Sequence, residues 1–433
     1  MSRDPDRWWR SRAARRTLFV LLAVVIAFLW WNAVRRGMAG RSSQIDNFID
    51  FGRDLFVGRI NVYETYEPSD TITKYPPFFG VLFLPLVFLP MAIAVSLWFW
   101  LNLVLSVVAV WFAVQVVHRP GEAARTRGRL WVPYVMAAGL VISNLETGQV
   151  NLVIIALLYG ALFVHTRGRD WQGGFTLGIA TALKLTPGLF VPYFMLKREW
   201  TMVAGTVVGI AVAWVAVPIA LLGWTAFLDV HAAWLEKIVP FLADGTAAEG
   251  PGGFRHTNQS LSAVLHRTLT RTPAGGGRGA FYVNVVALTP ATVTILVRLV
   301  SVAILAGLGW LCRPGRGERG HPEFGLECAL VMVAALLISP ISWINHYVGL
   351  LFPYVVAVHY VGTRPATLPG RRFLAVATIV SFLLLMTSVS ILPQAFSLPF
   401  LGAVVLAAGL AVALIRERAG VVDRVPIRET RAP

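Results

Sequence analysis

A chain of 433 residues that is 56% hydrophobic and only 14% charged, with a mean hydropathy of +0.66, carries too much apolar surface for a water-soluble globule, which excludes a soluble enzyme. Its 38 lysines and arginines against 22 acids give a net charge of +16, a balance that suits either a nucleic-acid surface or the basic loops of a membrane protein. Two cysteines exclude a disulfide framework and a cysteine-built zinc site.

In chain order, six arginines (Arg3, Arg7, Arg10, Arg12, Arg15, Arg16) precede the apolar run 17–34. That run exceeds the roughly 7–15 residues of a signal-peptide core, which predicts an uncleaved helix with a cytoplasmic N-terminus. A long loop, 35–90, follows. Phe48, Phe51, Leu55, Phe56, Ile60, Val62 and Tyr63 give it apolar faces, expected to lie on the membrane, and its stretch 78–90 suits an interfacial or re-entrant helix. Further spans are predicted over 91–117, 131–146, 149–165, 171–185, 186–196 and 201–223. The Lys184 to Pro187 break leaves open whether 171–196 is one kinked helix or two short spans, and two keeps the basic turn 197–199 with the other basic loops.

A second long loop, 224–289, opens with an apolar stripe from Trp224 to Leu242 that reads as another interfacial helix. It continues through a glycine-rich stretch, 245–253, to His256-Thr257-Asn258-Gln259-Ser260 and a flexible run, 273–279. Spans over 290–312, 324–341, 345–360, 373–391 and 395–415 complete an expected all-α polytopic protein of about twelve transmembrane helices. The basic N-terminus 1–16 and tail 416–433 then flank a single transmembrane domain, 17–415, with both termini cytoplasmic.

The charges test this topology. The termini and segments 119–129, 167–169, 197–198, 313–319 and 364–372 hold 25 of the 38 basic residues, and all fall on the cytoplasmic side. The excess charge is therefore an orientation signal and no nucleic-acid partner is expected. The first outer loop, by contrast, balances six acids (Asp46, Asp50, Asp54, Glu64, Glu67, Asp70) against six bases.

The polar residues that a bilayer does not explain gather at the outer ends of the spans. Asp46, Asp50 and Asp54 recur every four residues, so a helix puts them on one face, with Arg53 within reach of Asp50; a plain solvated face is the alternative. Lys184 ends an apolar helix before a proline, where it either snorkels to the interface or holds a phosphate. Gln149 and Asn151 occupy an outer turn, where amides cap the next helix or bind sugar hydroxyls. Trp343 and His346, in the turn 339–347, either belong to an aromatic belt or serve the site. There is no dinucleotide fingerprint, phosphate-binding loop, zinc-protease motif or nucleophile elbow.

Six strings in this order carry a family resemblance: Asp46 upstream of Gly58-x-x-Asn61-Val62-Tyr63; Tyr75-Pro76-Pro77; Gly148-Gln149-x-Asn151; Lys184-x-x-Pro187; Asn258-Gln259-Ser260; and Ser339-Pro340-x-Ser342-Trp343-x-x-His346. Together they resemble glycosyltransferase family 87, the membrane mannosyltransferases of the GT-C fold class that use polyprenyl-phosphate sugars. The resemblance implies a GT-C-type helical bundle in a bacterial inner membrane with an extracytoplasmic active site. It implies Asp46 as general base, sugar transfer with inversion, and a glycolipid or glycan acceptor. Lys184, His346 and Tyr75 are the candidates for the donor's phosphate and lipid, and Gln149, Asn151, Asn258, Gln259 and Trp343 for sugar and acceptor. Asp50 stands where the family commonly has an aromatic residue, so it is a second candidate base, and Asn345-His346 replaces a paired histidine.

No cofactor is expected, although Asp46 and Asp50 sharing a divalent ion is the alternative. A polyprenyl-phosphate arabinose donor is the nearest rival. A lipid or polysaccharide transporter would instead need polar residues along the whole depth of the spans, whose inner halves read as Leu, Val, Ala and Phe.

Overall fold

The computed structural model describes residues 12–40, 44–66, 71–118, 131–244, 253–275, 280–314, 322–365 and 367–420. Arg41, Glu67, Asp70, most of the glycine-rich runs and the basic segment 119–129 lie outside these.

Among the described residues the chain is an all-helical membrane protein. Seven helical stretches are long and apolar enough to cross a bilayer: Arg16–Met38, Met91–Val117, Trp200–Leu222, Pro290–Leu311, Ile344–Thr363, Gly370–Val389 and Leu398–Ala419. The first belongs to α1 (Arg12–Met38) and the second is α3 (Met91–Val117), with α2 (Ile45–Gly52) between them.

The other five expected spans are shorter. They are α4 (Trp131–Thr147), α5 (Asn151–Thr166), α6 (Asp170–Leu183), the 3-10 turn Thr186–Leu189 with α7 (Phe190–Leu196), and α12 (Pro322–Ile338). At 1.5 Å per residue, the four helices of 14–17 residues reach roughly 21–26 Å, less than a hydrocarbon core of about 30 Å, and Thr186–Leu196 is shorter still. Of these, α5 and α12 are buried along most of their length, and an interior helix needs no full apolar height of its own.

Local chemistry sets the ends. The helix α8 (Trp200–Ala211) continues through a π turn, Val212–Ala216, to Leu222, and packs on α6 through Gly174, Gly178, Gly205 and Gly209. A Cβ at Gly174 would stand 2.2 Å from the Met202 carbonyl oxygen, so the two backbones touch as only small residues permit. In the second long loop lie α9 (Trp224–Asp244) and α10 (Leu261–Leu269). The hydroxyl of Ser260 accepts from the Ala263 N–H at 3.2 Å and starts α10; Thr289 does the same for Thr292 at the head of α11 (Pro290–Leu311), whose Pro290 lacks the N–H a first turn would waste. The chain ends in α13 (Leu351–Thr363), α14 (Pro369–Met386) and α15 (Leu398–Gly420).

The first long loop corrects one expectation. Phe48, Phe51, Leu55, Phe56, Val62 and Tyr63 are buried inside the protein, and only Ile60 of the apolar set is exposed. The loop folds as a plug over the bundle because its aromatic residues find each other: Phe48 meets Phe79 and Phe83 at 4.9 and 5.1 Å, and Tyr75 stacks on Phe79 at 4.0 Å. The expected helix over 78–90 becomes two short turns, Phe78–Val81 and Leu84–Val87, the second with a proline in its first turn.

At the end of the bundle that carries the basic turn Lys197-Arg198, Glu327 is fully buried. It accepts from Lys197 at 2.8 Å, Arg418 at 2.5 Å and the Tyr193 hydroxyl at 2.9 Å, while Arg418 also bonds Glu323 at 3.1 Å. This network ties α15 to α12 and to the turn after α7. Cys312 and Cys328 are both free and buried.

Candidate active site

Three interruptions of helix meet at the opposite end. The first is the break after α6. Lys184 takes an extended conformation, Pro187 opens the 3-10 turn, and the carbonyl of Ala182, left without a helical partner, accepts the Trp214 indole N–H at 3.0 Å. The second is the turn 148–150 between α4 and α5. Gly148 has φ +66° and its carbonyl accepts from the Trp98 indole at 3.0 Å; a Cβ there would stand 2.9 Å from Ile45 Cβ. That contact, with the Gln44 N–H donating to the Thr147 carbonyl at 2.9 Å, seats the start of α2 on the turn. The third is 339–350, where α12 ends and the chain runs through Trp343 into the 3-10 turn Ile344–Leu350.

These interruptions surround a cavity of about 730 Å³. Lys74, Lys184 and His346 give it cationic or protonatable groups; Gln44, Gln149, Asn345, Tyr75 and Trp343 give it amides and aromatic edges. Leu185, Leu189, Pro192, Ile238, Ala335 and Ile338 make the remaining wall apolar. A smaller pocket of about 80 Å³ continues inward past Lys184 and His346, lined by Ile154, Ile155, Leu158 and Phe190. Such a lining offers cationic and hydrogen-bonding groups to an anion and apolar surface to a hydrocarbon chain.

Five of the sequence candidates therefore line one cavity: Tyr75, Gln149, Lys184, Trp343 and His346. Asn151 touches it through Lys184, whose ammonium donates to the Asn151 amide oxygen at 2.7 Å. Asp46 stands in the first turn of α2, two residues beyond the cavity-lining Gln44. Its Oδ1 is buried and has no hydrogen-bond partner among the described residues. Burial pushes its carboxyl above the ordinary value of 3.8, the neighbouring charge of Asp50 adds to the rise, and the backbone N–H groups of Asn47 and Asp46 oppose it. Asp50 is different. It is half exposed and paired with Arg53 at 2.5 Å.

Asn258 and Gln259 are fully buried and act on backbone. The Asn258 amide donates to the Gly253 carbonyl at 2.7 Å, and its oxygen accepts from Ser342 N at 2.9 Å and Ser260 N at 3.1 Å. The Gln259 N–H donates to the Ser342 carbonyl at 2.8 Å, its side-chain amide reaches the Gln394 carbonyl at 2.6 Å, and its carbonyl accepts from the Tyr347 hydroxyl at 2.7 Å. An isolated antiparallel bridge between Asn258 and Trp343 completes the clamp. Neither residue lines the cavity; both hold the turn that does.

Sequence reasoning missed Arg267 and gave Lys74 no role beyond the charge balance. Arg267 is fully buried and donates to the carbonyls of Phe254, Arg255, Asn258 and Ala395 at 3.0–3.1 Å and to the Ser397 hydroxyl at 2.7 Å. Burial pushes its pKa down to about 10, opposed by the Tyr347 hydroxyl. Lys74, half-buried on the cavity wall, is likewise lowered by burial. Among the described residues, the His, Asp and Glu side chains close enough to share a metal ion are His165, Asp170 and Glu199. They sit at the far end of α5 from Asn151, roughly 20 Å away by helical rise.

The chain is 28% identical over 411 residues to a polyprenol-phosphate-mannose-dependent alpha-(1-2)-phosphatidylinositol mannoside mannosyltransferase of Mycobacterium tuberculosis, covering 89% of this chain and 85% of that protein. A protein of the same description from Mycolicibacterium smegmatis is 28% identical over 376 residues, 79% of this chain and 73% of its own. A polyprenol-phosphate-mannose-dependent alpha-(1-2)-phosphatidylinositol pentamannoside mannosyltransferase of M. smegmatis is 26% identical over 354 residues, 79% and 75% of the two chains. No solved structure matches the chain. The profile of glycosyltransferase family 87 matches residues 73–340, which take in Lys74, Tyr75, Gln149 and Lys184 of the cavity wall but not Gln44, Trp343 or His346, and the chain belongs to that family as a membrane glycosyltransferase.

Proposed function

We propose that the chain transfers mannose from a polyprenyl-phosphate donor to a mannosylated phosphoinositide lipid, on the extracytoplasmic face of a bacterial inner membrane. The observation that carries this reading is the cavity itself, which combines Lys74, Lys184 and His346 with an apolar wall and an inward apolar pocket. A lipid-borne sugar phosphate has the same three parts. The polyprenyl chain takes the apolar side, the phosphate meets Lys184 and His346, and the sugar lies against the amides and the Trp343 ring.

The reaction is a single displacement at the anomeric carbon. An acceptor hydroxyl attacks as Asp46 removes its proton; the bond from the anomeric carbon to the phosphate oxygen breaks, and polyprenyl phosphate leaves with the bonding pair. Asp46 suits the base because its buried Oδ1 has no hydrogen-bond partner among the described residues, whereas Asp50 is engaged by Arg53. The cationic groups stabilise the charge that develops on the departing phosphate. Asn258 and Gln259 contribute by holding the Trp343 and His346 turn in place.

Purified protein in lipid nanodiscs, given radiolabelled polyprenyl-phosphate mannose with a series of phosphatidylinositol mannosides, is expected to form a product longer by one mannose. Transfer from polyprenyl-phosphate arabinose but not mannose would replace the donor, and no transfer from either would overturn the reading. For the face, a cysteine substituted for Arg198 is expected to escape an impermeant reagent added to intact cells; labelling there would invert the orientation.

A further inference from the structure

Sequence reasoning offers Asn151 to a sugar hydroxyl, but its hydrogen bonds lead elsewhere. The residue is 4% exposed and both polar atoms of its side chain are engaged. Its Oδ1 accepts from Lys184 Nζ at 2.7 Å, and its Nδ2 donates to Asn144 Oδ1 at 2.9 Å, with the Asn345 carbonyl at 3.4 Å.

The direction of this relay is set by backbone carbonyls, which only accept. Asn144 Nδ2 donates to the carbonyls of Leu140 at 2.8 Å and Asn345 at 2.9 Å. Asn144 must therefore turn its oxygen toward Asn151, and Asn151 is left with only its own oxygen for the lysine. Reversing either amide would set donor against donor in a buried place. The same node holds the residue before His346: Asn345 Oδ1 accepts from the Ser143 hydroxyl at 2.6 Å, so its carbonyl and its side chain are both fastened to α4.

We propose that Asn151 is a positioning residue for the donor phosphate, aiming the Lys184 ammonium into the cavity and fixing it relative to His346 through the Asn144–Asn151–Asn345 node. The inference rests on the reading of Lys184 as the cation for that phosphate. An amide suits the task better than a carboxylate would. Its neutral oxygen restrains one N–H of a flexible lysine without cancelling the charge, and leaves two N–H groups for an anion. A carboxylate there would hold the lysine equally well and compensate the charge the phosphate needs.

The test compares initial rates over donor and acceptor concentrations for wild type, Asn151→Leu, Asn151→Asp, Lys184→Met and the Asn151→Leu/Lys184→Met double variant. It adds inhibition by the product polyprenyl phosphate. Asn151→Leu, by losing one charge-assisted contact, and Asn151→Asp, by compensating the lysine's charge, are each expected to raise the donor KM and the product inhibition constant by about tenfold, with acceptor KM unmoved. In the Lys184→Met background, Asn151→Leu is expected to add nothing, because both remove the same interaction. Asn151→Asp preserves side-chain size, so it answers the question even if the leucine variant misfolds. A rise in acceptor KM, or effects that multiply in the double variant, would overturn the positioning role while leaving the phosphate site standing. If Lys184→Met itself leaves donor KM and product inhibition unchanged, the phosphate reading fails and the inference with it.

Discussion

Arg267 is expected to decide whether the second long loop keeps its shape. Its guanidinium satisfies four backbone carbonyls and one hydroxyl from two segments, 254–258 and 395–397, with no carboxylate among its partners in the described residues. In Arg267→Met the hydrocarbon stem is preserved but every one of these acceptors loses its donor. Three of the carbonyls share one nitrogen and some will regain water as the loop relaxes. If only two of the five remain buried and unpaired, at about 1–3 kcal/mol each, the segment loses roughly 2–6 kcal/mol. That is comparable with the whole stability of an ordinary domain, about 5–15 kcal/mol, and here it falls on one loop. The loss is transmitted to the cavity, because Asn258 joins the arginine to the Ser342 and Trp343 turn. Limited proteolysis in nanodiscs is the assay: the variant is expected to be nicked between residues 245 and 280 much faster than wild type, with transfer lost and the transmembrane helices intact. Arg267→Lys should lie between the two, since one ammonium cannot reach both segments. A methionine variant as protected and as active as wild type would show that Arg267 does not hold the loop.

Three further outcomes follow from the geometry. In Gly148→Ala the positive φ costs about 1–2 kcal/mol and the new methyl meets Ile45; α2 and Asp46 are expected to shift, lowering kcat with little change in thermal unfolding. Because the Asp46 carboxyl is raised and the base must be ionised, activity is expected to fall with acid at a higher pH than for an ordinary carboxylate. Asp50→Asn removes a like charge, so the acid limb should move to lower pH, and a limb that moves upward would contradict the assignment. Glu327→Gln leaves Lys197 and Arg418 facing each other without their shared acid, and a loss of roughly 3–5 kcal/mol is expected in thermal unfolding, with donor KM unchanged in the folded fraction.

Much of this was legible in residue order, and the parts that were not have physical causes. The apolar runs of α1, α3 and α8 announce themselves by length, and the Lys184 to Pro187 break by chemistry, since a proline denies α6 its next hydrogen bond. The helices α5 and α12 read as spans because burial in a protein and burial in lipid select the same residues; only packing reveals that they are interior. The first long loop read as a membrane-lying segment for the same reason, its aromatic residues being equally content against lipid or against Phe79 and Phe83. Asn258 and Gln259 offered a donor and an acceptor each, which suits a sugar and also suits a backbone turn more than 80 residues on, at Ser342. Arg267 sits in an ordinary amphipathic stretch, and no local pattern distinguishes it from a solvated arginine; its role exists only once the loop closes on 395–397.

Asp46 as the base that activates the acceptor is the step on which the proposed reaction depends. The most direct measurement is the rate of mannose transfer from polyprenyl-phosphate mannose by Asp46→Asn and Asp50→Asn variants, both shown to be folded by their thermal unfolding. Asp46→Asn is expected to lose about 10²–10⁴ in kcat while donor KM stays near wild type, and Asp50→Asn to keep most of its activity. Full transfer by Asp46→Asn, with or without a loss in Asp50→Asn, would contradict the account.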